Sequence, residues 1–251
     1  MVLALKLILT PLLIAAATLA GRRWGPGVSG WLVGLPLTSG PISLILSWQD
    51  GKMFAAHAAT GTLGGLSSVC LFCLAYALTA PRLHWAAASG LAIGVFLLSA
   101  LLWNLLSLPL LPTIVILAAV IAAAAALMPR YAAAATPPGR PVWDLPMRMV
   151  IATGFVLALT AASSALGPRL SGLISPFPIF GVVLAAFSHR MAGAEAAARV
   201  MRGMVIGSIG FAGFFIIVAY LLPAWSIGWT YLLATGVALG VNGVSLRVAA
   251  A

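Results

Sequence analysis

Long apolar runs separated by short polar or Gly/Pro-rich interruptions fill nearly the whole chain. Nine runs of near-span length can be drawn, at 2–21, 28–48, 53–80, 84–106, 109–128, 148–166, 170–188, 196–222 and 225–246. A helix needs about 20 mostly apolar residues to cross the hydrocarbon core, so the pattern predicts an all-α polytopic membrane protein with nine spans. The first run imitates a signal peptide, with Lys6 near its start and small residues at Ala15–Ala20. Against that reading, Arg22-Arg23 follows the run instead of leading it.

The first run also has a partner later in the chain. Shifting the sequence by 142 positions aligns 6–104 with 148–246 without a gap and gives 21 identities in 99 pairs. That is about twice the chance level for so Ala- and Leu-rich a chain. The identities cluster: Gly25, Pro26, Ser29, Gly30 and Pro36 match Gly167, Pro168, Ser171, Gly172 and Pro178. Gly51, Gly61, Gly65 and Pro81 match Gly193, Gly203, Gly207 and Pro223. The expected organisation is a first four-span repeat at 1–106, a linking span and cytoplasmic loop at 107–146, and a second four-span repeat at 147–251. Four spans plus one is odd, so the second repeat is expected to be inverted.

Charge supports the inversion independently. With nine spans, one side holds Arg22, Arg23, Arg82, Arg130, Arg140, Arg148, Arg190, Arg199, Arg202 and Arg247, and the other only Lys6, Lys52 and Arg169. The positive-inside rule then predicts an outside N terminus and a cytoplasmic C terminus in a bacterial inner membrane. Trp24, Trp48, Trp85, Trp103, Trp143 and Trp225 fall near predicted span ends, where indoles favour the interface.

Composition narrows the function. With 63% hydrophobic and 6% charged residues, the chain could not cover a water-soluble surface. A net charge of +10 scattered singly between apolar runs makes no basic face, which argues against nucleic acid. The CxxC of Cys70 and Cys73 sits in an apolar run without further ligands and is expected to be packing. No metal-ligand spacing, nucleophile elbow or phosphate loop is visible, so neither catalysis nor a cofactor is expected.

Candidate chemistry lies in the second run of each repeat. SGWLVGLPLTSGPISL and SGLISPFPIFGVVL carry Pro36 and Pro41, and Pro176 and Pro178. Each proline removes a backbone donor and displaces the carbonyl four residues back. Paired breaks in inverted repeats point to a transporter binding site. Ser29, Gly30, Pro36, Thr38, Ser39, Ser171, Gly172, Ser175, Pro176 and Pro178 are therefore the candidate substrate-binding residues. Freed amides and helix N termini would favour an anionic group. Glu195, Arg199 and Arg202 share one helical face by their spacing, and with His57 they are candidate gating or charge residues. Of the three acids, Asp50 is expected in an outer turn next to Lys52, Asp144 in the long inner loop, and Glu195 at a helix start beside Arg199 and Arg202, so no two carboxylates are paired for acid–base chemistry.

The stretch Leu170–Val183, LSGLISPFPIFGVV, resembles the GlpM-like family of small bacterial inner-membrane proteins. Gly172, Leu173, Ser175, Pro176, Phe177, Pro178 and Phe180 carry the likeness, and the first repeat keeps Gly30 and Pro36. The resemblance implies a duplicated, fused form of a four-helix unit and a loose association with cell-envelope polysaccharide production.

The expected function is alternating-access transport or translocation of a small, anionic or lipid-linked substrate at the repeat interface. The alternative is a non-transporting membrane scaffold for a cell-envelope polysaccharide synthesis complex. The expected partners are the lipid bilayer and the substrate. Fusion of the repeats allows a self-sufficient monomer and leaves a homodimer open.

Overall fold

The computed structural model describes residues 2–131, 141, 143–158 and 177–250. Its elements are α1 (Val2–Trp24), α2 (Pro26–Val33), α3 (Ser39–Gln49), α4 (Lys52–Thr79), α5 (Trp85–Leu106), α6 (Leu110–Leu127), α7 (144–158), α8 (Ile179–Leu221) and α9 (Ile227–Ala250). No strand occurs among the described residues.

The helix boundaries follow from local chemistry. Gly25 at φ 99° and ψ 162° turns the chain between α1 and α2, and Pro26 then opens α2 where its missing N–H costs nothing. Gly51 (φ 90°, ψ 163°) separates α3 from α4, and Gly193 (φ 83°, ψ 173°) breaks α8 internally. Side chains almost never adopt this backbone conformation, so glycine is required at these breaks. Between α2 and α3 the helix opens over 34–38, where Pro36 has no donor to continue the ladder.

Nine full-length spans are not what this arrangement presents. Among the described residues, five helices are long and apolar enough to cross a membrane: α4, α5, α6, α8 and α9. The run drawn at 28–48 is two short helices, because Gly34 and Pro36 interrupt it. The run at 196–222 meets the end of the preceding one at Gly193, whose non-helical backbone divides α8 into 179–192 and 194–221.

The core is organised around α4 and α8. In one apolar cluster, Val69–Ala77 of α4 pack with Val182–Ala185 and Ala197–Val205 of α8, together with Ala88–Ala100 of α5. In the other, Ala55–Leu66 of α4 pack with Ala212–Ala219 of α8 and Tyr231–Ala238 of α9. The N-terminal half of α4 thus meets the C-terminal end of α8 and the reverse, so the two helices run antiparallel. Cys70 and Cys73 are fully buried in the first cluster as free thiols.

Outside this centre, α5, α6 and α9 turn large apolar side chains outward, including Leu98, Leu105, Leu111, Val115, Leu232, Leu239 and Val244. Water would not tolerate such a surface, whereas lipid acyl chains match it. Trp24, Trp48, Trp143 and Trp225 are also exposed. Two polar contacts pin α9 to the first helices: the Ser43 and Tyr231 hydroxyls lie 2.7 Å apart, and Trp31 Nε1 donates to Ser245 Oγ at 3.0 Å.

Candidate functional site

Close backbone contact between α2 and α8 places the first break. A Cβ on Gly30 would strike the Val200 carbonyl oxygen, one on Gly203 the Gly27 carbonyl, and one on Gly207 the Trp31 carbonyl. Small residues at these crossings let the two backbones meet, as lipid-embedded helices do when no hydrophobic drive presses them together. Gly30 therefore acts in helix contact. Once α2 is seated, Gly34 and Leu35 of the break and Thr38 and Ser39 at the start of α3 line a groove.

The groove encloses about 960 Å³. Phe177 and Pro178, immediately before α8, form another piece of its wall, with Ala58–Thr62 of α4 and Trp103 and Asn104 of α5. The opening at 34–38 and the non-helical residues 177–178, far apart in sequence, thus share one groove. No charged side chain is among its described lining residues. Several lining hydroxyls already donate to their own helix: Thr60 to Ala56 O, Thr62 to Ala58 O and Ser208 to Met204 O. That leaves a mostly apolar wall with few free donors.

The remaining candidates disperse. Pro36 lies in the break itself, and Ser29 is buried away from the groove in a separate polar pocket. Ser171, Gly172, Ser175 and Pro176 lie outside the described residues. His57 is on an exposed face of α4, Glu195 is exposed, and Arg199 is half-buried. Arg202 donates through Nη1 to Ala125 O at 3.1 Å and Met128 O at 3.5 Å. It thereby serves the terminal carbonyls of α6, which lack intrahelical partners.

One expectation is overturned. Asp144 is not in a loop: it opens α7, is fully buried, and accepts from Arg148 Nε at 2.7 Å and Arg22 Nη2 at 3.0 Å. Arg148 is itself 2% exposed, and its Cζ lies 4.8 Å from the centre of the Phe187 ring. The available signal was the four-residue spacing of Asp144 and Arg148 at the head of an apolar run, an ion-pair spacing on a helix. Tyr76 Oη lies 3.3 Å from His189 Nδ1, which puts 187–191 beside the C-terminal end of α4. At the opposite end, Lys52 Nζ donates to Trp225 O at 2.9 Å.

These features define the class, an α-helical multi-pass membrane protein built on a central antiparallel helix pair. Compared with protein-family models, curated proteins and solved structures, the chain matches none.

Proposed function

We propose that the protein is a bacterial inner-membrane transporter or translocator, working by alternating access between two inverted repeats. The observation that carries this reading is the meeting of both Pro/Gly breaks, at 34–38 and 177–178, on one groove beside α4 and α8. Helix ends support the repeat. The part of α8 after its break, 194–221, begins and ends 142 positions after α4, and α9 starts 142 positions after α5. Gly51 and Gly193 match in both position and conformation. The antiparallel course of α4 and α8 is what inversion of one repeat requires.

Gly61 and Gly65 are the sequence counterparts of Gly203 and Gly207, which take the α2 backbone. Both line the groove. An uncharged or lipid-linked cargo fits that apolar wall better than a free anion, because Arg202 is engaged by α6. The charge bias of the loops supports an outside N terminus and a cytoplasmic C terminus.

The test begins with sidedness. Single cysteines replacing Lys52 and Ala194, in a background lacking Cys70 and Cys73, are labelled with an impermeant reagent on cells and on inverted vesicles. Labelling from opposite sides is expected, and labelling from one side would remove the inverted repeat. Flux in proteoliposomes is then compared for wild type and a Pro36→Ala/Pro178→Ala variant, where loss of flux is expected. Absence of flux from well-folded wild type, with a synthase co-purifying, would favour the envelope scaffold that the GlpM-like resemblance suggests.

A further inference from the structure

We propose that the turn between α4 and α5, together with His189 and Arg190 of α8, is a docking surface for the headgroups of anionic phospholipids. Between Thr79, which ends α4, and Trp85, which opens α5, the side chains of Arg82, Leu83 and His84 are exposed. Tyr76, in the last turn of α4, fastens α8 beside them. Its hydroxyl lies 3.3 Å from His189 Nδ1, with the two ring centres 6.0 Å apart. It also meets Ser89, one turn into α5, and His84 and His189 are close enough for their charges to interact. Arg190, next along α8, is exposed. Three helices thus bring two guanidiniums and two imidazoles to one end of the molecule.

All four groups present donors. Arg82 and Arg190 can only donate. His84 Nδ1 accepts from Ala86 N at 3.4 Å, which puts the ring proton on Nε2. With Tyr76 donating to His189 Nδ1, that ring likewise keeps an N–H to offer. Protein acceptors do not answer them. Among the described residues neither arginine joins an ion pair. Asp144 is buried against Arg22 and Arg148, Glu195 follows the break at Gly193, and Asp50 precedes α4 at its opposite end.

The surroundings select a lipid over a soluble anion. Trp85, at the head of α5, has its ring centre 5.3 Å from that of His84, and an indole at a span end marks the level of the headgroups. Beyond it α5 turns Leu91, Leu97 and Leu98 outward. A phospholipid seated here sets its phosphate among the donors and its acyl chains along these leucines. A zwitterionic headgroup brings its own ammonium into the positive field, so a headgroup of net negative charge is favoured. Arg130 and Arg23, the latter 5.4 Å from the centre of the Trp24 ring, are exposed and extend that field. The surface is independent of the groove and of any cargo the groove carries.

The experiment is thermal unfolding of the full-length protein in a neutral detergent, titrated with phosphatidylglycerol, phosphatidylcholine or glycerol 3-phosphate. A saturable rise in Tm is expected with phosphatidylglycerol and not with the other two at equal concentration. Arg82→Gln/Arg190→Gln, at exposed positions, should raise the half-saturating lipid concentration about thirtyfold, about fivefold for each arginine. Arg82→Lys/Arg190→Lys keeps both charges and should stay near wild type. Lys52→Gln, at the opposite end, should also keep the response. Equal behaviour with phosphatidylglycerol and phosphatidylcholine, whether both raise Tm or neither does, would overturn the proposal. A matching rise with glycerol 3-phosphate would overturn it in favour of a soluble anion. A phosphatidylglycerol response unchanged in the glutamine variant would place binding elsewhere and overturn it too.

Discussion

Replacing Asp144 with Asn should destabilise the protein far more than an ordinary surface substitution. Asn keeps the shape, and it can still cap the first turn of α7. What it removes is charge. Arg148, 2% exposed and 2.7 Å from Asp144 in the native protein, is left as a buried guanidinium without its counter-charge. Breaking a buried pair in this way costs about 3–5 kcal/mol. Arg22 adds little, because its side chain is 33% exposed and water solvates it. At ~2–4 °C per kcal/mol for a chain of this size, Tm should fall by roughly 6–20 °C. Tryptophan fluorescence during thermal unfolding in detergent measures it. A second variant, Asp144→Leu/Arg148→Met, removes both charges together and should recover most of the loss, since an apolar replacement of a buried pair is often neutral. An Asp144→Asn variant within 1–2 °C of wild type, well short of the expected loss, would refute the buried-pair reasoning. So would a double variant as unstable as the single one.

Gly30→Ala should lower Tm sharply, because its Cβ meets the Val200 backbone and cannot be relieved by a rotamer change. Gly94→Ala, with open space around the new methyl, should be neutral or slightly stabilising in the same assay. Gly193→Ala should cost about 1–3 kcal/mol from the forbidden backbone alone, and an unchanged Tm would mean the break in α8 relaxes elsewhere. Arg202→Ala should cost about 1–2 kcal/mol through the uncapped α6 carbonyls. In a flux assay it should leave KM unchanged, whereas a raised KM would return Arg202 to the substrate.

Much of the helical architecture was legible because glycine and proline act locally. Gly25, Gly51 and Pro36 end or open helices wherever they fall, and the 142-residue offset flagged Gly193 as the counterpart of Gly51. Thr38, Ser39 and Pro178 reach one groove because they sit beside such breaks. What stayed hidden depends on contacts remote in sequence. The carbonyls that Arg202 caps lie on another helix, 77 and 74 residues away. Gly30 and Ser29 are neighbours in one motif, yet helical geometry turns one toward α8 and the other toward the polar pocket. Asp144 followed a proline-rich stretch that reads as a loop, and only the fold shows it opening a helix. Span counting failed for a different reason: hydropathy registers apolar length but not whether the backbone stays helical along it.

On the proposed repeat reading, the ionic cluster has no equivalent in the other repeat. Under the 142-residue offset, Asp144, Arg148, Arg22 and Ser188 correspond to Val2, Lys6, Ser164 and Leu46, which cannot form the same network. Arg22 and Asp144 join the end of α1 to the start of α7, while residues 187–191, which Arg148 touches, lie at the C-terminal end of α4. The groove instead runs along the N-terminal half of α4, toward the end where Lys52 meets Trp225. Among the described residues, one end is therefore fastened by buried ion pairs and the other by the hydrogen bond from Lys52 to Trp225 O. In an alternating-access cycle the two ends exchange roles, so the free-energy difference between the two states would reside largely in this cluster and not in the shared helical scaffold. A cysteine at Thr38 should then react from the Lys52 side in wild type, and Asp144→Asn should raise its reactivity from the opposite side. Equal reactivity in the two proteins would detach the cluster from access to the groove and leave it a fastening of the fold alone.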